Sequence, residues 1–270
     1  MMRVWILFWL MAVGFGPSVG AQTWARQRLQ DSPRHLEWVD VVYGDRTVKC
    51  FVAYPEVKDP AKTVVLIHEI FGLTDWVRGV ADQLAEMGYV AIAPDLLSGT
   101  AANGGGTADL GGDDQARQVI ARLPPAQILA DLDVVVDYGS KLPASNGKAS
   151  VVGFCWGGSQ SFRYATHNPK IVEACVFYGS APSGGVEALQ AIACPVFGFY
   201  AENDARINQT LPATRADMKA AGKTFVAEIY QGAGHGFMRA GESPTASPEN
   251  ALARKQAWQR LHQVLQSSGK

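Results

Sequence analysis

Cys155 lies in Gly153-Phe154-Cys155-Trp156-Gly157-Gly158, directly after the apolar run Ala149-Ser150-Val151-Val152. A buried strand that ends in Gly-x-nucleophile-x-Gly and turns at once into a helix lifts its central side chain above the sheet on a sharp turn. The flanking positions must be small, because a side chain at Gly153 or Gly157 would meet neighbouring backbone. The helix beginning beneath the sulfur offers free N–H groups and a positive dipole end, which favour a thiolate. This pattern points to covalent catalysis by a cysteine nucleophile.

The groups needed to activate such a thiol follow in order. An apolar run, Pro195-Val196-Phe197-Gly198-Phe199-Tyr200, leads into Ala201-Glu202-Asn203-Asp204. An acid just past the carboxyl end of a strand can orient a histidine base. Another strand-like run, Thr224-Phe225-Val226-Ala227-Glu228-Ile229-Tyr230, enters Gln231-Gly232-Ala233-Gly234-His235-Gly236-Phe237. The chain order nucleophile, acid, base (Cys155, Asp204, His235) is that of α/β-hydrolases and of neither the chymotrypsin nor the subtilisin pattern.

The oxyanion site is expected from backbone. Thr63-Val64-Val65-Leu66-Ile67 reads as a buried parallel strand running into His68-Glu69-Ile70-Phe71-Gly72. In this architecture the loop after that strand gives one N–H and the residue after the nucleophile gives the other. These are the main chains of Ile70 and Trp156. Glu69 is expected beside Cys155, where its charge would oppose thiolate formation.

Positioning these groups requires alternating strands and helices. Strands are expected over 36–42, 48–54, 63–70, 89–94, 149–154, 171–178, 196–200 and 224–230, and helices over 75–87, 126–138, 158–166, 213–221 and 248–266. Thr74 is expected to cap the first helix and Gly88 to end it. Such alternation implies an α/β fold, a mainly parallel eight-stranded sheet with helices on both faces and its first two strands antiparallel at one edge. The Gly-, Ala- and Thr-rich residues 98–114 read as a mobile flap over the site or merely as a tolerated loop, with the flap preferred.

With these motifs in view, the chain resembles the dienelactone hydrolase (carboxymethylenebutenolidase) family. His68-Glu69-Ile70-Phe71-Gly72, Gly153-Phe154-Cys155-Trp156-Gly157-Gly158, Phe177-Tyr178-Gly179 and Gly234-His235-Gly236-Phe237 are all typical of it. The resemblance spans about residues 35 to 266. It implies a Cys155–Asp204–His235 triad, a thiol contact for Glu69, and a substrate-carboxylate role for Arg239, four residues after His235. The family draws a second carboxylate-binding arginine from the segment before the 126–138 helix. That segment is rewritten with glycines here, and Arg117 and Arg122 are its candidates.

Arg3, the apolar stretch from Val4 to Val13 and the small residues Val19-Gly20-Ala21 read as a signal peptide over 1–21, leaving 22–270 as one domain, exported to the periplasm or beyond with no lasting membrane anchor. The chain is 47% apolar and 18% charged with net charge −1, which suits a large core and offers no nucleic-acid surface. Cys50, Cys155, Cys175 and Cys194 lack metal-ligand spacing, and Cys50, Cys175 and Cys194 read as core thiols. An oxidising compartment leaves a Cys175–Cys194 bridge open.

The expected activity is hydrolysis of a small, anionic ester or lactone through a thioester, needing no metal or organic cofactor. A broad-specificity envelope carboxylesterase and a non-catalytic, redox-responsive binding protein are the alternatives. Oligomeric state and physiological substrate are not legible.

Overall fold

The computed structural model describes residues 23–267, so the expected signal peptide lies outside the described residues. In chain order the elements are α1 (Thr23–Asp31), β1 (Leu36–Tyr43), β2 (Arg46–Ala53), β3 (Ala61–Ile67), α2 (Asp75–Glu86), β4 (Val90–Pro94), a 3-10 turn (Thr107–Asp109), α3 (Asp113–Ile120), α4 (Pro125–Ser140), β5 (Ser145–Phe154), α5 (Trp156–Ala165), β6 (Ala174–Phe177), α6 (Gly185–Leu189), β7 (Val196–Asn203), α7 (Ala205–Asn208), α8 (Leu211–Ala220), β8 (Phe225–Gly234), α9 (Phe237–Ala240) and α10 (Pro248–Ser267).

All eight strands form one sheet in the order β1-β2-β4-β3-β5-β6-β7-β8. β1 pairs antiparallel with β2, and β2 antiparallel with β4. Every later pairing is parallel. The central strands are apolar on both faces, as a sheet covered on both sides demands. On one face, Trp76, Val80 and Leu84 of α2 join Ala257, Leu261 and Leu265 of α10 over Leu66, Phe154 and Phe177. On the other, Leu132 and Val135 of α4, Phe162 of α5 and Met218 of α8 cover Val65, Ile67 and Val151. Burial of this kind contributes roughly 25 cal/mol per Å² of apolar surface.

The fold is the expected α/β-hydrolase architecture, with local departures. β3 stops at Ile67 rather than 70, which frees Glu69 and Ile70 to form a loop. The helix after Cys155 begins at Trp156, two residues before the position expected, because the chain turns inside the glycine motif itself. Thr74 holds the N-cap position of α2 but makes no side-chain cap. Gly88, at φ +93°, ends that helix as expected. α1 and α3 were not expected; α3 buries only Ala116 and Ile120, too thin an apolar stripe to read from pattern.

The residues expected as a mobile flap are tied down. The buried Asp95 carboxylate, just past β4, accepts the Thr107 N–H and hydroxyl, both at 2.7 Å, and the Leu97 N–H at 3.0 Å. Thr107 Oγ1 in turn accepts the Leu73 N–H at 3.0 Å. The lobe is thereby fastened to the loop that follows β3, and a side chain at Gly72 would strike Thr107. Cys50, Cys155, Cys175 and Cys194 are all free thiols, so Cys175 and Cys194 are not bridged.

Candidate active site

Cys155 caps α5 at the carboxyl end of β5, with φ 56° and ψ −114°. A side chain at positive φ is strained by about 1–3 kcal/mol and persists only where its surroundings hold it. Here they do so by contact. A Cβ on Gly153 would lie 1.9 Å from the Gly157 carbonyl oxygen, and one on Gly157 would lie 2.2 Å from that of Ile67. The turn therefore presses against the end of β3, which brings Cys155 and the expected oxyanion loop together.

The three triad candidates meet. His235 Nε2 lies 3.1 Å from Cys155 Sγ, and His235 Nδ1 lies 2.5 Å from Asp204 Oδ2. A carboxylate beside Nδ1 fixes its proton there and leaves Nε2 free to accept the thiol proton. Asp204 follows β7 and is buried, and His235 follows β8 and is one-third exposed, so one end of the base is sealed and the other open to substrate. Tyr178 packs edge-on against the imidazole at 5.0 Å.

Burial, and after it the Glu69 carboxylate, push the Cys155 thiol up to about 11 against the opposing Trp156 N–H, Arg206 and Arg239. Cys155 therefore rests as a thiol rather than a thiolate near neutral pH. The Trp156 main-chain N–H reaches the sulfur and favours its charged form. Ile70 sits half buried on the facing loop.

Glu69 is almost sealed from solvent, and its partner is Arg239, whose Nε donates to Oε2 at 2.8 Å. Burial raises the Glu69 pKa, and Arg239 works against that rise. The expected substrate-binding arginine is thus paired with Glu69. Its guanidinium also lies 5.2 Å from the Phe71 ring, and that of Arg117 lies 4.9 Å from the same ring. α3 therefore delivers Arg117 to the site, whereas Arg122 is exposed beyond the end of that helix and makes no such contact among the described residues.

Two neighbours escaped the sequence reading. Tyr178 is fully buried at φ 41°, and its hydroxyl has no hydrogen-bond partner of ordinary geometry; burial, and after it Glu69 and Cys155, raise its pKa. It directly follows β6, a place in the sheet where the motif Phe177-Tyr178-Gly179 gave a signal. Arg206, two residues past Asp204, is exposed and lowers the thiol pKa from the acid's side.

The profile of the dienelactone hydrolase family matches residues 48–268. The chain belongs to the dienelactone hydrolase family. It is 30% identical over 242 residues to a Methylorubrum extorquens protein provisionally named a carboxymethylenebutenolidase, covering 86% of this chain and 80% of that one. It is 28% identical to the carboxymethylenebutenolidase of Pseudomonas putida, over 78% of this chain and 89% of the relative. The crystal structure of a provisionally named dienelactone hydrolase from Klebsiella pneumoniae superposes with a TM-score of 0.74 at 26% identity, over 86% of this chain and 98% of the other. This dienelactone hydrolase relative is accordingly a carboxylic ester hydrolase acting on a small-molecule ester or lactone.

Proposed function

We propose that this hydrolase cleaves a small anionic ester or lactone through a thioester on Cys155. The observation that carries the reading is the continuous chain from Asp204 through His235 to the Cys155 sulfur, at 2.5 and 3.1 Å. His235 Nε2 takes the thiol proton as sulfur attacks the carbonyl carbon, and Asp204 stabilises the imidazolium. The tetrahedral oxyanion forms between the Ile70 and Trp156 N–H groups. The imidazolium then protonates the departing alcohol or enol oxygen. Water, deprotonated by His235, attacks the thioester, and the thiol is regenerated with release of the acid. A thiolate expels an enolate or alkoxide far more readily than an amine, so esters and lactones suit this site better than amides.

Arg239 and Arg117 supply the anion preference. Both converge on Phe71 at the mouth of the oxyanion loop. A substrate carboxylate reaching Arg239 competes there with Glu69. That same pairing favours a second reading, a broad-specificity carboxylesterase in which Arg239 serves Glu69 alone. We further propose that the enzyme acts outside the cytoplasm, on the strength of the leader-like residues 1–21.

Mass spectrometry after rapid acid quench tests the covalent step. The acyl group should appear on Cys155 during turnover of an activated ester, and Cys155→Ala should show none. Turnover with no adduct on Cys155 at any quench time, and undiminished in Cys155→Ala, would refute the thioester route. Comparing kcat/KM for esters with and without a carboxylate decides between the two substrate readings.

A further inference from the structure

We propose that His68 is a positioning residue for the oxyanion hole: its Nδ1–H holds the Glu69 carbonyl so that the other end of the same peptide group, the Ile70 N–H, faces the oxyanion. This rests on the proposed roles of Ile70 and Trp156.

His68 is the first residue past β3 and is fully buried. Its Nδ1 lies 2.8 Å from the Glu69 carbonyl oxygen. A carbonyl oxygen can only accept, so Nδ1 carries the hydrogen and Nε2 is a bare acceptor. Nε2 has no hydrogen-bond partner among the described residues. The ring therefore makes one polar contact, and that contact is to backbone. Burial lowers its pKa, which keeps it in this neutral form. A buried imidazole with an idle nitrogen is an unfavourable way to fill space, and an aromatic hydrocarbon would fill it without that cost.

The peptide it grips is the one that matters for catalysis. The described chain has no cis peptide bond, so the Glu69 C=O and the Ile70 N–H point in opposite directions from one planar group. The Glu69 oxygen also accepts the Gly72 N–H at 3.2 Å. Two donors on the carbonyl fix the plane of the amide and polarise it, which strengthens its N–H as a donor. The imidazole also reaches the second half of the hole. It stacks on the Trp156 indole at 5.5 Å and 19°, and Trp156 supplies the other N–H. A Cβ on Gly157 would lie 2.4 Å from the His68 carbonyl oxygen, so the two donor segments are in contact where His68 joins them.

The test uses the full chain with His68→Phe, which keeps the stack and loses the donor, and His68→Asn, whose amide nitrogen can stand near the place of Nδ1. Three readouts apply: kcat and KM on a neutral activated ester, inhibition by an aldehyde that forms a hemithioacetal on Cys155, and alkylation of Cys155 by iodoacetamide, which develops no carbonyl oxyanion. Since losing one oxyanion donor outright costs about 10²–10³ in kcat, His68→Phe should lower kcat about 10- to 100-fold, with KM within about twofold. It should weaken the aldehyde by a similar factor and leave alkylation nearly unchanged, and His68→Asn should recover most of the loss. Unchanged kcat in His68→Phe, an equal loss in alkylation, or failure of His68→Asn to recover would overturn the proposal. Should His68→Phe not fold, ring ¹⁵N shifts of the wild type decide instead: a protonated Nδ1 and a bare Nε2 between about pH 5 and 9 support it, and the opposite tautomer overturns it. An active Cys155→Ala enzyme would fail differently, refuting the cysteine mechanism first.

Discussion

Arg239 Nε lies 2.8 Å from Glu69 Oε2, joining α9 to the loop after β3 across the mouth of the site. The carboxylate is 4% exposed and the guanidinium 32%. Removing Arg239 would leave the Glu69 carboxylate without its paired cation in a largely buried place. Breaking a fully buried pair costs about 3–5 kcal/mol, and the partial exposure of Arg239 brings the expectation for Arg239→Ala down to about 1–3 kcal/mol. The pH dependence has a definite sign. Burial already holds the folded-state pKa of Glu69 above its unfolded value, and loss of Arg239 raises it further, so the variant's deficit is small at acid pH and grows as pH rises through that higher folded pKa. Denaturant melts at pH 5 and pH 8 check this, and Glu69→Gln in the same chain should restore most of the lost stability. Equal deficits at both pH values would show that Glu69 is not the group left unpaired. In activity, kcat/KM on an anionic ester should fall about one to three orders of magnitude while a neutral ester of similar size is barely affected.

The triad geometry sets a second expectation. Cys155→Ala or His235→Ala should lower kcat on an activated ester by about three orders of magnitude or more, leaving only binding and oxyanion effects. Asp204→Asn should cost less than loss of the nucleophile, because His235 stays in place while its tautomer is no longer fixed. Near-wild-type turnover in Cys155→Ala would send the search to another nucleophile.

The raised thiol gives a third. With the Cys155 pKa at about 11, the thiolate fraction, and with it iodoacetamide labelling, should climb about tenfold per pH unit from 7 to 10. A flat profile would mean that a thiolate–imidazolium pair already exists. Glu69→Gln removes the second cause of the shift and releases Arg239, so labelling near neutral pH should become several-fold faster. Burial, the largest cause, remains, and the profile should still rise with pH.

Much of this site was legible because its chemistry is written in short local patterns. Gly153, Cys155 and Gly157 specify their turn through backbone clearances that any reader of the motif can anticipate, and the order Cys155, Asp204, His235 follows from where strands end. The Glu69–Arg239 pair was not legible. Each residue was assigned a role toward a ligand or thiol, and only the three-dimensional path of residues 234–240 shows that they neutralise each other. Whether residues 98–114 form a flap or a fixed lobe is not legible for a similar reason. Its glycines suggest mobility, but Asp95 and Thr107, twelve positions apart, cancel that freedom through side-chain bonds with no periodic signature. His68 was quoted within its motif and given no role, since its tautomer and burial exist only in the fold.

Export is testable independently of the site. Val19-Gly20-Ala21 offers a small-residue cleavage site, so intact-mass analysis of protein from its own host should find Gln22 at the amino terminus. A chain that begins at Met1 or Met2 would show the leader to be retained.

Arg117 provides the sharpest test of substrate class, because two arginines on one ring need not do the same work. Its guanidinium lies 4.9 Å from the Phe71 ring, and its carboxylate partner is Asp114, 3.2 Å away on the exposed side of α3. An exposed pair of this kind holds its arginine weakly, typically by less than about 1 kcal/mol, so Arg117 is free to turn toward an anion at little cost. Its side chain is also half exposed, and its attraction for a carboxylate is screened by salt more fully than that of the more buried Arg239. Arg117→Ala should therefore lower kcat/KM for an anionic ester by about three- to thirtyfold, less than Arg239→Ala. Its effect should shrink markedly between about 0.05 and 0.5 M salt, while that of Arg239→Ala should shrink only in part. A neutral ester should be indifferent to Arg117→Ala at either salt concentration. Equal losses on charged and neutral esters would assign Arg117 to holding Phe71 and the oxyanion loop, and no loss on either would leave Arg239 as the sole carboxylate-binding candidate of the two.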